Sequence, residues 1–288
     1  CGATGSATVI FTVSDQCGNT STTTATFTIE DTTPPVIDPA ASDETVECDG
    51  EGNTTELNAW LASNGGASAT DDCSEVTWTN DFTALSDGCG ATGSAVVTFT
   101  ASDDCGNTST TTATFTIEDT TPPVIDPGAE DLVVECDGGG NGEDITDWLA
   151  NNGGASATDL CGTVTWSNDY SGVSDSGCGG EASTTVTFTA TDECGNTSET
   201  TATIMINDDT PPVLLTPAED LTVECDGAGN TTELTDWLAN NGGATAEDDC
   251  STVTWSNDFT ALSDGCGATG SAVVTFTATD DCGLETTP

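Results

Sequence analysis

Stretches in which apolar and polar residues alternate recur along the chain, and they predict β-strands with one buried face. Between residues 34 and 121, Val76 and Trp78 alternate with polar neighbours, and longer alternations cover residues 94–102 and 110–118. A period of two with one apolar face is typical of antiparallel strands in a β-sandwich. The outward positions of the last alternation hold Thr, which favours strands. A short extended segment at residues 45–48 precedes them.

One segment of each copy breaks this period and predicts a short helix. Its first example begins at Asn53 or Thr54, either of which is placed to cap it, and Gly65 is placed to end it. Apolar residues at positions i, i+3 and i+4 would cover one flank of the sandwich. The three copies of this apolar face are Leu57, Trp60 and Leu61; Ile145, Trp148 and Leu149; and Leu234, Trp237 and Leu238.

The chain is built from copies of one sequence, which its cysteines mark most clearly. Cys1, Cys89, Cys178 and Cys266 are 88, 89 and 88 residues apart. The same spacing is kept by Cys17, Cys105, Cys194 and Cys282, by Cys48, Cys136 and Cys225, and by Cys73, Cys161 and Cys250. Pro-Pro pairs, which restrict the backbone, separate the copies. The predicted repeats are residues 1–33 (the last two strands only), 34–121, 122–210, and 211–288 (without the last strand).

These observations predict an all-β fold of tandem immunoglobulin-like β-sandwich repeats of about 88 residues, each with a short inserted helix and two disulfides. Fourteen cysteines in an otherwise ordinary composition favour a disulfide framework and an oxidising compartment. Zinc or iron binding by these thiols is disfavoured, because the chain has no CxxC motif and no His.

The predicted strand directions place the cysteines at two poles of each repeat. Cys48 and Cys89 fall at one pole, and Cys73 and Cys105 at the other. The segment between Cys89 and Cys105 is a mostly extended strand, which is too long for a disulfide to join its ends. Pairing within each pole is therefore expected, and the partners of Cys1 and Cys17 are expected before residue 1. The predicted pairs are Cys48–Cys89, Cys73–Cys105, Cys136–Cys178, Cys161–Cys194, Cys225–Cys266 and Cys250–Cys282.

Charge removes several classes of function. The chain has 50 Asp and Glu but no Lys, Arg or His, which gives a net charge of −50. Binding to nucleic acid or to an anionic membrane surface needs cationic side chains and is excluded for this segment. No apolar run approaches the roughly 18 residues of a membrane span, so no membrane insertion is expected. A compact state with this charge repels itself and calls for counter-ions, of which divalent cations are the most effective.

Acidic residues gather where the poles of successive repeats are expected to meet. Six to eight oxygen ligands suit Ca²⁺, and several carboxylates in one small volume need such an ion. The alternative is a solvated acidic surface neutralised by sodium. Leu160 replaces an Asp of the second set, which should weaken that site. The predicted ligands are Glu30, Asp31, Asp71, Asp72, Asp103 and Asp104; Glu118, Asp119, Asp159, Asp192 and Glu193; and Asp208, Asp209, Asp248, Asp249, Asp280 and Asp281.

Four short motifs, repeated in order, carry a resemblance to a known family. They are DTTPP at residues 119–123, VVEC at 133–136, TATD at 189–192 and CGN at 194–196. In this order they resemble the HYR (hyalin-repeat) family of immunoglobulin-like domains. The resemblance is strongest to the cysteine-bearing versions in surface and adhesion proteins of gliding, Bacteroidetes-type bacteria. It covers the whole chain, although the helix and the four cysteines per repeat depart from the plain family pattern. It implies an extracellular, tandem, adhesive or stalk-like role.

The resulting expectation is a structural segment of an extracellular rod or fibre of a bacterial surface adhesin, stiffened by disulfides and by Ca²⁺ at the acidic junctions. It would act in cell adhesion, at the cell surface or in a secreted fibre. Its partners would be neighbouring repeats or subunits of the same protein. An alternative is a module that binds a surface glycan or protein. A third hypothesis is a chain that polymerises non-covalently, its end repeats completed by neighbours.

Catalysis is not expected. Paired carboxylates also occur in glycosidases, but here the acidic residues recur in repeated loops and not in one cleft. Trp78, Trp166 and Trp255 could bind a sugar, yet they lie on the inward face of an alternating pattern. That position favours a role in the core.

Overall fold

The computed structural model describes residues 1–175, 178–265, 267 and 269–287, and it is mostly β. The chain divides into two compact units that do not coincide with the sequence repeats. Unit 1 contains residues 1–123, 158–165 and 191–197, and unit 2 contains residues 124–157, 166–190 and 198–288. Two loops of the repeat 122–210 thus belong to the same compact unit as the repeat before it. The repeat boundaries drawn from the sequence stay a prediction.

Twenty strands and three α-helices follow one another along the described residues. The strands that begin before residue 123 are β1 (Gly5–Ser14), β2 (Thr20–Ile29), β3 (Val36–Ile37), β4 (Glu44–Glu47), β5 (Ala69–Thr70), β6 (Thr77–Asn80), β7 (Gly93–Ser102) and β8 (Thr108–Glu118). They are followed by β9 (Val124–Ile125), β10 (Leu132–Glu135), β11 (Ala157–Thr158), β12 (Thr165–Asn168), β13 (Ser174–Asp175), β14 (Ala182–Thr191), β15 (Thr197–Asn207), β16 (Val213–Thr216), β17 (Thr245–Glu247), β18 (Thr254–Asn257), β19 (Phe276–Thr279) and β20 (Glu285–Thr286). The helices are α1 (Thr54–Ala62), α2 (Gly142–Ala150) and α3 (Thr231–Ala239), and each is followed by a short 3₁₀ turn. None of them reaches the length and apolar character that crossing a membrane would need.

The main sheet of unit 1 has the order β4-β8-β7-β6. Strands β7 and β8 form a long antiparallel hairpin, and β6 adds antiparallel to β7. Strand β4 adds parallel to the far half of β8, so the Cys48 strand and the β8 strand run in the same direction, as predicted. A second, smaller sheet pairs β3 with β5. The strands predicted at residues 94–102 and 110–118 are confirmed, and each is one or two residues longer than predicted.

The core of unit 1 lies between this sheet and helix α1. Val97, Phe99 and Phe115 are fully buried, as the alternating pattern predicts. Trp60 of α1 meets Phe99 edge-on with 5.2 Å between ring centroids, and it lies 5.4 Å from Phe115. Edge-on aromatic contacts add to the burial energy of the rings. Helix α1 therefore closes one face of the sheet, as its Leu and Trp spacing predicts.

Unit 2 repeats this architecture with β10-β15-β14-β12, in which β13 also pairs with β14. Its core contains Val186, Phe188 and Ile204, and Trp148 of α2 meets Phe188 with 5.1 Å between centroids. The later part of unit 2 has only the shorter sheets β18-β19-β20 and β16-β17 among its described residues. No residue of α3 is buried there.

The prediction that the Asn53 side chain can cap α1 is wrong. Asn53 holds the N-cap position, but its side chain makes no capping hydrogen bond. Its φ of 47° is left-handed, and its amide turns away from the helix. It donates from Nδ2 to the carbonyl oxygen of Glu47 at 2.9 Å, and its Oδ1 accepts from the N–H of Asp49 at 3.2 Å. Asn53 therefore joins the helix to the end of β4. At the other end of α1, Asn64 is already left-handed one residue before Gly65.

Replacing Asn53 by Ala should destabilise unit 1. The side chain is buried, so its loss removes two hydrogen bonds and forces Ala into a left-handed backbone. Together these effects should lower the free energy of unfolding by about 2–4 kcal/mol. Denaturant unfolding of the full chain measures this value. Asn58→Ala, on the exposed side of the same helix, should change it by less than about 0.5 kcal/mol. Equal values for the two variants would contradict the bridging role of Asn53.

Candidate metal sites and disulfide bridges

Five disulfides link the described cysteines, and each joins one sequence repeat to the next. Three lie in unit 1 and two in unit 2, with sequence separations of 104 to 114 residues. The pairs are Cys1–Cys105, Cys48–Cys161, Cys89–Cys194, Cys136–Cys250 and Cys178–Cys282. Cys17 and Cys73 are exposed free thiols.

The predicted pairing within each repeat is therefore wrong. Five of the predicted pairs do not form: Cys48–Cys89, Cys73–Cys105, Cys136–Cys178, Cys161–Cys194 and Cys250–Cys282. The expectation that Cys1 has a partner before residue 1 is also wrong, since Cys1 bonds to Cys105. The sixth predicted pair, Cys225–Cys266, includes Cys266, which lies outside the described residues, and this pair stays a prediction.

The physical reason for the error is the loop packing at the pole that carries Cys48 and Cys89. Strands β4 and β8 end together at this pole, as predicted. The loops 158–165 and 191–197 then pack on it within unit 1. The N–H of Ala91 donates to the carbonyl oxygen of Cys161 at 2.7 Å, and the N–H of Gly90 donates to Oε2 of Glu193 at 3.0 Å. Both thiols of the pole therefore face cysteines of the next repeat.

Glutamates that the sequence reasoning missed hold the Pro-Pro segments. The carboxylate of Glu47 accepts hydrogen bonds from the N–H and hydroxyl of Thr120 at 2.8 and 2.9 Å, and from the hydroxyl of Thr121 at 2.7 Å. These bonds, led by the Thr120 N–H, hold the pKa of Glu47 below its usual value. Glu135 binds Asp209 and Thr210 in the same way. Their recurrence directly before a cysteine, in the Val-Glu-Cys motif, was the available signal.

Among the described residues, four groups of side chains bring possible metal-binding atoms within 4.8 Å of one another. One is Cys178, Glu181 and Cys282, whose two cysteines are joined in a disulfide, and the other three lie at corresponding places. In unit 1 these are Asp31, Asp71 and Cys73, and Asp119, Asp159 and Cys161. In unit 2 the group is Asp208, Asp248 and Asp280, which we call the Asp208 cluster. Cys161 is bound in a disulfide, so it offers no thiolate. The Asp208 cluster alone of these three presents three carboxylates.

One substitution leaves a carboxylate oxygen of the Asp208 cluster without a hydrogen-bond partner, and Oδ2 of Asp31 in the first group is buried without one as well. In the first two complete repeats, the carboxylates of Asp103 and Asp192 are saturated by an Asn four residues later, whose side-chain amide donates at 2.7 and 2.8 Å. The repeat 211–288 has Leu284 at this position. Asp280 keeps the backbone hydrogen bond from Leu284 at 2.8 Å, but its Oδ2 is buried without a hydrogen-bond partner. Asp280 is only 4% exposed.

The pKa values of aspartates in and beside these groups are shifted by burial, by neighbouring charges and by hydrogen bonds. Burial raises the pKa of Asp208, and the charges of Asp248 and Asp280 raise it further. Burial also raises the pKa of Asp119, with Asp159 and Asp192 adding to the rise. Burial opposes ionisation of Asp103 as well, but hydrogen bonds from Asn107 hold its pKa below the usual value. The charged form is thus disfavoured at Asp119 and Asp208, which are buried near other carboxylates and whose side chains accept no Asn amide.

The other predicted ligands do not join these groups. Asp103 and Asp192 are buried but bound to their Asn partners. Glu193 accepts from the N–H and hydroxyl of Thr163, and Asp281 accepts from the hydroxyl of Thr252. The remaining predicted ligands are exposed to solvent and lie outside the three groups: Glu30, Asp72, Asp104, Glu118, Asp209 and Asp249. In unit 2, a cavity of about 200 Å³ is lined by Glu135, Asp208 and Asp248.

The inward tryptophans belong to the hydrophobic core. Trp78 packs against the core of unit 1 and Trp166 against the core of unit 2. Trp255 is half-buried in β18. The expectation that these rings pack inward is confirmed for Trp78 and Trp166.

Comparisons with known proteins find likeness among solved structures only. No protein-family profile matches the chain, and no curated protein sequence matches it. Mouse cadherin-23 EC22-24 is 14% identical with a TM-score of 0.30, and the match covers 88% of this chain and 96% of that one. A protocadherin gammaB7 EC3-6 cis-dimer structure is 14% identical with a TM-score of 0.30, covering 98% and 83%. Protocadherin gamma B2 extracellular cadherin domains 1-5 are 12% identical with a TM-score of 0.31, covering 100% and 65%. Similarity at this level identifies neither a family nor a function for this chain.

The chain's own geometry defines its class. It is a mostly β protein of tandem immunoglobulin-like sandwich repeats, and the repeats 34–121, 122–210 and 211–288 each contain an inserted helix. Its disulfides join cysteines of successive repeats.

Proposed function

We propose that this chain is a structural segment of an extracellular rod or fibre that acts in cell adhesion, as the HYR-type resemblance to bacterial surface adhesins also suggests. The observation that carries the proposal is the disulfide pattern, in which every described bridge joins consecutive repeats. A bridge within a repeat would stabilise that repeat only. A bridge between repeats limits their separation and their movement under load. The proposal assigns the chain no catalysis.

The disulfides also support an extracellular location. Stable disulfides persist in oxidising compartments and are rare in reducing ones. Closing a loop of about 100 residues with a disulfide stabilises a fold by up to about 4.7 kcal/mol in the chain-entropy account. Bridges that span more than 100 residues therefore contribute to stability as well as to connection.

Calcium binding at the acidic groups is the second part of the proposal. The Asp208 cluster fits a hard cation, because it offers only carboxylate oxygens and one of them, Oδ2 of Asp280, is buried without a partner. Glu135 lies beside it and could supply a further oxygen. Bound Ca²⁺ would neutralise the carboxylates and hold together the three segments that carry them. Asp119 with Asp159, and Asp31 with Asp71, offer two carboxylates each and should bind more weakly.

Calcium should raise the unfolding temperature of the full chain above the value measured with chelator. A ligand at 100 times its Kd stabilises the folded state by about 2.7 kcal/mol. Asp280→Asn keeps the shape of the side chain but removes its charge. It should therefore abolish most of the calcium-dependent rise in unfolding temperature that unit 2 contributes. Asp249→Asn, one residue from the cluster and exposed, is the matched control and should keep the full gain.

Sodium chloride at the same ionic strength is the control, and it should raise the unfolding temperature much less than calcium does. Isothermal titration of the chain with Ca²⁺ gives the stoichiometry, and sedimentation gives the hydrodynamic length in both conditions. If calcium and chelator give the same unfolding temperature, or if Asp249→Asn loses as much as Asp280→Asn, the acidic groups are solvated surface.

A further inference from the structure

The loop that carries Asp248 is held in the Asp208 cluster by a disulfide. The N–H of Cys250 donates to Oδ1 of Asp248 at 3.0 Å, so this cysteine and this carboxylate keep a fixed relation. Cys250 is bonded to Cys136, which directly follows β10. The N–H of Cys136 donates at 2.7 Å to the carbonyl oxygen of Asn207, the residue before Asp208. The Cys136–Cys250 bond therefore ties the Asp248 loop to the end of the strand that leads to Asp208.

A second disulfide holds the turn that carries Asp280. Asp280 and Cys282 lie two residues apart in one hydrogen-bonded turn. The Sγ of Cys282 lies 3.6 Å from Oδ2 of Asp208, and Cys282 is bonded to Cys178. A Cβ atom at Gly179 would lie 2.5 Å from Oδ2 of Asp208 and 3.1 Å from Sγ of Cys282. The segment that begins at Cys178 therefore packs directly on the cluster.

The three carboxylates that these bonds hold together repel one another. Asp208, Asp248 and Asp280 bring one oxygen each within 4.8 Å of the others, and the chain has no Lys, Arg or His to offset their charge. Asp280 is 4% exposed, and its Oδ2 is buried without a hydrogen-bond partner. Like charges this close favour separation of the segments that carry them. The repulsion thus acts against both disulfides, and a cation that cancels it acts with them.

The corresponding place in unit 1 provides an internal comparison. There the metal-binding group contains two carboxylates, those of Asp119 and Asp159. Its neighbour Asp192 accepts a hydrogen bond from an asparagine amide at 2.8 Å. In the corresponding disulfide, Cys89–Cys194, the Sγ of Cys194 lies 3.4 Å from a carbonyl oxygen and not beside a carboxylate. We therefore expect this bond to depend less on a cation.

We propose that Ca²⁺ bound at the Asp208 cluster and the disulfides Cys136–Cys250 and Cys178–Cys282 stabilise each other. This inference rests on the calcium binding proposed above and names what regulates it. A dithiol reductant transfers two electrons and two protons, so that the S–S bond breaks, two thiols form on the chain, and the reductant closes its own disulfide. The freed acidic segments then separate, which weakens the calcium site. Because coupling is reciprocal, Ca²⁺ opposes reduction by the factor by which reduction weakens Ca²⁺ binding.

The test is a redox equilibrium of the full chain in mixtures of reduced and oxidised dithiothreitol, with Ca²⁺ or with chelator. Sodium chloride keeps the ionic strength equal, because salt also screens the repulsion. Thiols are trapped by alkylation, and mass spectrometry follows each disulfide separately. The digestion uses a protease that cleaves at acidic residues, since the chain has no Lys or Arg.

We expect Ca²⁺ to raise about tenfold the ratio of reduced to oxidised reagent that half-reduces Cys136–Cys250 and Cys178–Cys282, a factor within the usual range for coupled sites. For a two-electron couple, a tenfold change corresponds to about 30 mV. The shift at Cys89–Cys194 should be smaller, for the reasons given by the comparison with unit 1.

Charge variants separate this coupling from general stabilisation by a ligand. Asp280→Asn removes one of the three repelling charges. In chelator it should make both bonds harder to reduce than in the parent chain, and it should abolish the calcium effect on them. Asp249→Asn, exposed and next to the cluster, is the matched control and should behave as the parent chain in both conditions.

Calorimetric titration of the oxidised chain with Ca²⁺ distinguishes failure of the inference from failure of the calcium proposal. If Ca²⁺ binds but the midpoints of the two bonds do not move, the inference is overturned and calcium binding stands. If the oxidised chain binds no Ca²⁺, the calcium proposal fails and the inference fails with it. An equal shift at Cys89–Cys194, or a shift that survives Asp280→Asn, would also overturn the inference.

Discussion

Pulling the oxidised chain by its two termini should extend it to only about one seventh of the length reached by the reduced chain. A fully extended chain spans about 3.4 Å per residue, so reduced and unfolded it reaches about 980 Å. In the oxidised chain the load passes through disulfides instead. Cys1–Cys105, Cys89–Cys194 and Cys178–Cys282 each bypass more than 100 residues.

The shortest covalent path then contains only a small part of the chain. It crosses from Cys1 to Cys105, returns along β7 to Cys89, crosses to Cys194, and returns along β14 to Cys178. It crosses finally to Cys282 and continues to the C-terminus, so that the load is carried by the segments 89–105, 178–194 and 282–288. With three disulfides, this path measures about 145 Å when extended. Since β7 and β14 are already extended strands, unfolding the rest of the repeats releases almost no length.

Single-molecule force spectroscopy measures the maximum extended length of the oxidised chain. Cys89→Ser breaks the path, and the shortest remaining one uses Cys136–Cys250 and runs along the segments 105–136 and 250–288. The oxidised Cys89→Ser chain should therefore reach an extended length of about 245 Å, which is about 100 Å more than the parent chain. Cys48→Ser is the matched control, because Cys48–Cys161 is not on the shortest path, and its limit should equal that of the parent chain. Long unfolding steps in the oxidised parent chain would show that the disulfide path does not carry the load.

Phe99→Ala should destabilise unit 1 by about 3–5 kcal/mol, the usual cost of removing a fully buried aromatic ring. Phe99 is completely buried and packs against Trp60. The chain supplies its own control, because Phe11 occupies the same repeat position in β1 but is 56% exposed. Phe11→Ala should change the free energy of unfolding by less than about 0.5 kcal/mol. Denaturant titration followed by Trp fluorescence measures both values. Equal losses would contradict the core assigned to unit 1.

The elements that could be predicted from the sequence are those determined by local pattern. The alternation in β7 and β8 and the Leu-Trp spacing of α1 identify a buried face without any knowledge of long-range contacts. The chemistry of Asn53 could not be predicted in this way. Its position before a helix is that of a capping residue, and only the return of the chain beside β4 gives its amide another partner.

The disulfide partners could not be predicted for a different reason. Each complete repeat carries the same four cysteines, so pairing within a repeat and pairing with the next repeat satisfy the same spacing. The sequence predicts acidic sites of five or six carboxylates each, but the amides of Asn107 and Asn196 already satisfy Asp103 and Asp192. Leu284 in the repeat 211–288 is one visible residue that distinguishes the Asp208 cluster, and its effect follows only once the Asn partners of the other repeats are known.

The disulfide pattern also has a consequence for how the protein is made. Four cysteines, Cys17, Cys48, Cys73 and Cys89, emerge during synthesis between Cys1 and its partner Cys105. An oxidase that joined cysteines in order of appearance would link neighbours that the folded protein keeps apart. Correct pairing therefore requires either that each repeat folds against the next before oxidation or that early bonds are reshuffled by thiol–disulfide exchange. Folding of this chain to its native disulfides should depend on a disulfide isomerase more strongly than folding of a protein with consecutive pairing.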